Sequence, residues 1–83
     1  MKFKAIVKVS LKAGHSDPEG ETTAKSLKEL QYHVETVKVG KIYEIILNAK
    51  SKEDAEKQVD EMCRRLLANP TKDNYTFTVE ETK

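Results

Sequence analysis

From Lys2 to Lys12 apolar and polar residues nearly alternate, with Phe3, Ala5, Val7, Val9 and Leu11 on one side and Lys4, Ile6, Lys8 and Ser10 on the other. A period of two is the signature of a half-buried strand. Ala13-Gly14-His15-Ser16 breaks the alternation and predicts a loop. Asp17-Pro18-Glu19-Gly20-Glu21 then reads as a helix start: Asp17 can cap free amides, Pro18 suits the first turn, and Glu19 and Glu21 favour the positive end of the dipole. Ala24, Leu27 and Leu30 continue one face to about Gln31, with Glu21–Lys25 and Lys25–Glu29 expected as outward pairs. Gly20 costs roughly 1 kcal/mol in a helix relative to alanine, so something other than propensity keeps it there.

Two strand-like runs follow, about His33–Val39 and Ile42–Ala49, joined at Gly40-Lys41 by a candidate two-residue hairpin. Ile42-Tyr43-Glu44-Ile45-Ile46-Leu47 is apolar on nearly both sides, which predicts a central strand. Ser51-Lys52-Glu53-Asp54 resembles a capping box and opens a second helix. Its expected buried stripe is Ala55, Val59, Met62, Cys63, Leu66 and Leu67; Glu53–Lys57, Asp60–Arg64 and Glu61–Arg65 are its expected wet-side pairs. Asn69-Pro70 ends it, asparagine suiting a left-handed cap and proline stopping the turn. Tyr75, Phe77 and Val79 alternate with Thr76, Thr78 and Glu80 as a last strand.

The order β-α-β-β-α-β, with no linker or repeat, predicts one α+β domain over residues 1–83. It is a ferredoxin-like sandwich: a four-stranded antiparallel sheet with two helices on one face, the first and third strands central. Phe3, Val7, Val9, Tyr43, Ile45, Leu47, Phe77 and Val79 are expected to face the helices. Strand parity puts Ile6, Ile42 and Ile46 on the opposite, open face, where they are candidates for self-association.

Composition narrows the class of molecule. The chain has 83 residues, 37% hydrophobic and 35% charged, with a formal net charge of +1. One thin core at this length is marginal, so burial by self-association is an expected remedy. Mixed charge near neutrality leaves no footprint for nucleic acid or an anionic membrane. There is no apolar run long enough to cross a bilayer and no signal-like start, which fits a cytoplasmic protein. Cys63 is the only cysteine, ruling out an intrachain disulfide and any multi-cysteine zinc site.

No constellation points to catalysis. His15 and His33 lie in different elements without ligands at metal spacing. Cys63, on the apolar stripe, reads as a packed thiol. Ser10, Ser16, Ser26 and Ser51 lack a glycine elbow, and Gly14, Gly20 and Gly40 are too isolated for a phosphate loop. An acylphosphatase-like site needs an arginine in the loop after the first strand, and Lys12–Ser16 has none. The aromatics fall mostly on the helix-facing side, as core rather than a base-stacking platform.

Taken together, three motifs carry a resemblance. Ser10-Leu11-Lys12 followed by Asp17-Pro18 and Gly20, then Val37-Lys38-Val39-Gly40-Lys41, then Met62-Cys63-Arg64-Arg65-Leu66-Leu67-Ala68-Asn69-Pro70 with Tyr75 beyond, resemble the PurS family over nearly the whole chain. His15-Ser16 and Thr71-Lys72 depart from that family's usual apolar residues. The resemblance implies a non-catalytic accessory subunit of phosphoribosylformylglycinamidine synthase, which makes FGAM from FGAR in purine biosynthesis. It implies a bridge between a large synthetase subunit (PurL-type) and a glutaminase subunit (PurQ-type), assisting ammonia transfer. ATP and glutamine would be used by those partners, with no cofactor, metal or catalytic residue on this chain. It also implies a homodimer or dimer of dimers. Asp17, Gly20, Gly40, Lys41, Asn69 and Pro70 match the motifs at element ends and are the expected partner-facing positions; Gly20→Leu is expected to fold yet lose the complex. The alternative is an ACT-like regulatory domain of the same topology, binding an amino acid at a strand–helix loop.

Overall fold

The computed structural model describes residues 1–82. Its elements are β1 (Lys2–Leu11), α1 (Pro18–Glu29), β2 (Lys41–Asn48), α2 (Lys52–Met62), a π-turn (Cys63–Leu67) and β3 (Asp73–Thr82). The sheet is antiparallel with order β2-β1-β3. The alternation in β1 sets the register. Phe3, Val7 and Val9 lie opposite Leu47, Tyr43 and Lys41 on one side, and opposite Glu81, Phe77 and Tyr75 on the other.

The sheet therefore has three strands, not the expected four. Residues 33–39 form no strand, and Gly40-Lys41 is no hairpin. The cause is visible in the spacing: Val37 and Val39 share a parity that Val34 does not, and the chain bends at Glu35, where the alternation fails. With no neighbour on its far side, β2 is an edge strand rather than a central one. Strand parity itself holds. Phe3, Val7, Val9, Leu47 and Val79 are buried, Tyr43, Ile45 and Phe77 pack against them, and Ile42 and Ile46 point away from the core.

The core lies between the sheet and α2. Phe3, Ala5, Val7 and Val9 of β1 meet Ala55, Val59, Cys63 and Ala68 from the α2 side. Ser51 starts α2 by accepting the Asp54 amide at 3.1 Å. In return Asp54 accepts the Lys50 amide, one residue short of a capping-box partner. Cys63 is wholly buried, and burial pushes its thiol up.

Only α2 covers that face. No residue of α1 joins the main core cluster, and α1 has no extensive packing on the sheet, contrary to two helices on one face. At its C-terminus Leu30 and Gln31 close the last turn, with Gln31 left-handed at φ 76°. The chain then returns alongside α1. Ala24 and Val37 line one cleft of about 460 Å³ between helix and return segment, which takes the place the sheet was expected to fill. Helix and return segment together form an arm. The molecule accordingly measures 51 × 29 × 14 Å.

Among the described residues two ion pairs form, Lys4–Glu44 across β1 and β2 and Asp60–Arg64 along α2. The other expected helix pairs, Glu21–Lys25, Lys25–Glu29, Glu53–Lys57 and Glu61–Arg65, do not close. Such exposed pairs gain little and cost side-chain freedom.

Candidate interaction site

Asp17 organises the base of the arm. One carboxylate oxygen, Oδ1, accepts the Gly20 amide at 2.9 Å, the expected helix cap. The other, Oδ2, accepts the Val39 amide at 2.8 Å and ties the return segment to the helix start. The Val39 bond, then the Gly20 bond, hold the Asp17 carboxyl below its usual range, outweighing partial desolvation.

Gly20 is needed for that closure. A Cβ there would run into the Val37 carbonyl oxygen, on the return segment of the arm. Gly20→Leu therefore disturbs the fold of the arm itself, and the expectation of normal folding is corrected. Gly40 has a similar cause: a Cβ would stand 2.7 Å from the Val9 carbonyl oxygen, where the return segment passes the end of β1. Close backbone approach explains both glycines.

Asn69 acts as a turn initiator rather than a left-handed cap. Its Oδ1 accepts the Thr71 amide at 2.9 Å, and its carbonyl accepts the Asp73 amide at 2.8 Å, leading into β3. The helix has already ended at Ala68, which is extended. Lys12 pins this turn to the end of β1: its Nζ donates to the Pro70 carbonyl at 3.0 Å and its amide to the Lys72 carbonyl at 2.7 Å.

These contacts gather the expected partner-facing positions at one end of the sheet. Asp17, Gly40 and Lys41 line a groove of about 490 Å³ with Leu11, Lys72 and Asp73. Asn69 and Pro70 lie in the adjoining turn. Gly20 stands behind the groove, in contact with Asp17. Lys12, Lys72 and Asp73 are not among the partner-facing positions expected from the sequence. Isolated lysines in a charged chain carry no signal until the strands are placed.

Exposed main chain and mixed charge at one end, over a rigid sheet, can bind a protein surface. Neither histidine belongs to a cluster of metal-ligating groups among the described residues. No helix among them is long and apolar enough to cross a membrane.

The model of the PurS family, described as phosphoribosylformylglycinamidine (FGAM) synthase, matches residues 4–81. The chain belongs to the PurS family. It is 42% identical over 78 residues to the phosphoribosylformylglycinamidine synthase subunit PurS of Archaeoglobus fulgidus, covering 93% of this chain and 98% of that one. The solved PurS of Methanocaldococcus jannaschii, one of the subunits of formylglycinamide ribonucleotide amidotransferase in the purine biosynthetic pathway, superposes with a TM-score of 0.85 at 35% identity. That match covers 98% of this chain and 99% of the other. A chain of the PurLQS structure from Thermotoga maritima superposes with a TM-score of 0.88 at 30% identity, covering 96% and 99%. These comparisons favour a PurS subunit and give the ACT-like alternative no support. The PurS resemblance read from the three motifs thus stands; the first two reach the groove, and the third ends at Asn69-Pro70 in the turn beside it.

On the open face of the sheet, Ile6, Ile42 and Ile46 form a diagonal patch. Ile6 lies opposite Glu44, Lys8 opposite Ile42 and Lys4 opposite Ile46. Ile42 is 69% and Ile46 55% exposed, while Ile6 is half-buried on the middle strand.

Proposed function

We propose that this chain is a non-catalytic accessory subunit of phosphoribosylformylglycinamidine synthase in cytoplasmic purine biosynthesis. In this reading it bridges a synthetase and a glutaminase subunit and keeps released ammonia on a closed route. The observation that carries it is the likeness, over nearly the full length of both chains, to the chain of the Thermotoga maritima PurLQS assembly.

The physical contribution is positional. Holding two subunits through a short connection raises their effective concentration to the order of millimolar. Asp17, Gly20, Gly40, Lys41, Asn69 and Pro70 are the partner-facing end, or set its shape. ATP and glutamine act on the partner subunits, and this chain carries no cofactor. Ile6, Ile42 and Ile46 are the self-association face, giving a homodimer or dimer of dimers.

Reconstitution tests the reading. The synthetase and glutaminase are mixed with and without this chain, and glutamine-dependent ADP formation is measured. Activity is expected only with it; equal rates in its absence, or turnover by the chain alone, overturn the proposal.

A further inference from the structure

The apolar residues left exposed are spread unevenly. Ile42 and Ile46 belong to the open face of the sheet, and Leu66, expected in the core, is turned outward by the π-turn that follows α2. Leu30 and Tyr32 stand together at the tip of the arm, 66% and 61% exposed. At the base of the arm Asp17 ties helix and return segment together, so the two project as one piece. A strand of 10 residues is about 33 Å long and a helix of 12 residues about 18 Å. Laid end to end they account for the 51 Å long axis of the molecule. The arm thus runs off the end of the sheet, in line with it, and does not reach back over its own β2.

What the sheet lacks is what the arm contains. The β-α-β-β-α-β order calls for a helix over β2 and a strand along its outer edge. Here Tyr43 and Ile45, on the core side of β2, are only partly covered, and the outer edge of β2 has no neighbour. An unpaired edge leaves a row of amides and carbonyls open to another chain. The arm carries a helix and the return segment 33–39, the same two parts, out of reach of the sheet they would complete.

We infer that two copies of this chain exchange arms. The helix of each lies across Tyr43 and Ile45 of the other, and its return segment runs along the open edge of that β2. The inference deepens the self-association in the accessory-subunit reading, through a contact separate from the isoleucine face. The lengths agree. From Pro18 to Leu30 the helix rises about 18 Å, and β2 from Lys41 to Leu47 spans about 20 Å. A two-fold axis at the base of the arms therefore sets each tip beside Ile45 of the other copy. One such operation completes both sheets at once, as exchange of an identical element does. The area is sufficient: a compact monomer of 9.4 kDa exposes about 5,000 Å², this chain exposes 6520 Å², and a stable interface takes roughly 800 Å² from each partner. A catalytic subunit is the poorer occupant, since it would have to supply a helix and strand that this chain already carries.

The test follows sedimentation and amide exchange of the full chain alone, as wild type and as Leu30→Glu with Tyr32→Glu. Wild type is expected to protect α1 and β2 together. The charged tips are expected to lower the sedimentation coefficient and to speed exchange in both elements about tenfold or more, while β1 and α2 keep their protection. A variant that sediments and exchanges as the wild type does overturns the inference. So does one that loses assembly with β2 protection unchanged, which leaves the arms touching each other and not the sheet. A second measurement needs no disruptive change. Cys63 is wholly buried, so a spin label added to Leu30→Cys attaches at the tip. It is expected to broaden the Ile45 amide of an isotope-labelled wild-type copy mixed with it, and an unbroadened Ile45 amide overturns the inference. Protection of α1 and β2 that arises only when synthetase or glutaminase is added gives both surfaces to a catalytic subunit, and overturns it as well. Failure of the accessory-subunit reading shows separately, as ADP formation that does not depend on this chain.

Discussion

At Asp17 a single carboxylate closes a helix start and a segment 22 residues away. The cap was legible in Asp17-Pro18, because its partner is three residues on. The second bond was not, since nothing local announces that Val39 returns to the same side chain. A depressed native pKa means that the unfolded chain takes up the proton first as pH falls. The Asp17 contribution is thus complete above the ordinary carboxylate range and disappears as pH drops through the lower native value. The Val39 and Gly20 amide proton shifts are expected to titrate together, with a midpoint below that of an unperturbed aspartate. A midpoint at or above it contradicts the two-amide arrangement. Gly20 makes a harder demand. Gly20→Ala places a methyl against the Val37 carbonyl, and overpacking of this kind costs on the order of 1–3 kcal/mol. Amide exchange at Val39 is expected to accelerate in that variant while the sheet amides keep their protection.

Among the elements, alternation was enough for β1 and β3, and 3.6-residue spacing for α2, because each buries one face against a partner that the pattern implies. The misreading was residues 33–39. Their valines suit a strand by composition, but the switch of parity between Val34 and Val37 leaves no single face to bury. The segment lies against α1 instead, and β2 is left at an edge. Leu66 was misassigned for a related reason, since a π-turn shifts the phase of a helix without any mark in the residue types. This division of elements predicts unequal costs. Val59 is fully buried between α2 and the sheet, so Val59→Ala is expected to cost about 2 kcal/mol in urea unfolding. Leu27, half-buried on the arm, lies outside the core, and Leu27→Ala is expected to cost under about 1 kcal/mol. Equal costs would mean that α1 belongs to the same cooperative unit as the sheet.

As a whole the molecule exposes more than its mass warrants. Its accessible surface is 6520 Å², against about 5,000 Å² for a compact monomer of 9.4 kDa. Its radius of gyration is 16.4 Å, against about 12 Å for 83 residues. The difference in area, about 1,500 Å², exceeds the roughly 800 Å² that one partner contributes to a stable interface. The arm, the half-covered Tyr43 and Phe77, and the isoleucine patch account for where that area lies. An isolated monomer would hold α1 away from the core with nothing on its outer side. Wild-type chain is therefore expected to sediment as a dimer or larger at micromolar concentration. Ile42→Lys with Ile46→Lys, on solvent-facing positions of β2, is expected to shift it toward monomer without loss of sheet structure. A wild-type monomer at that concentration refutes self-association outright. A double variant that keeps the wild-type sedimentation removes the isoleucine face from the contact and leaves the arm as the surface that two copies share.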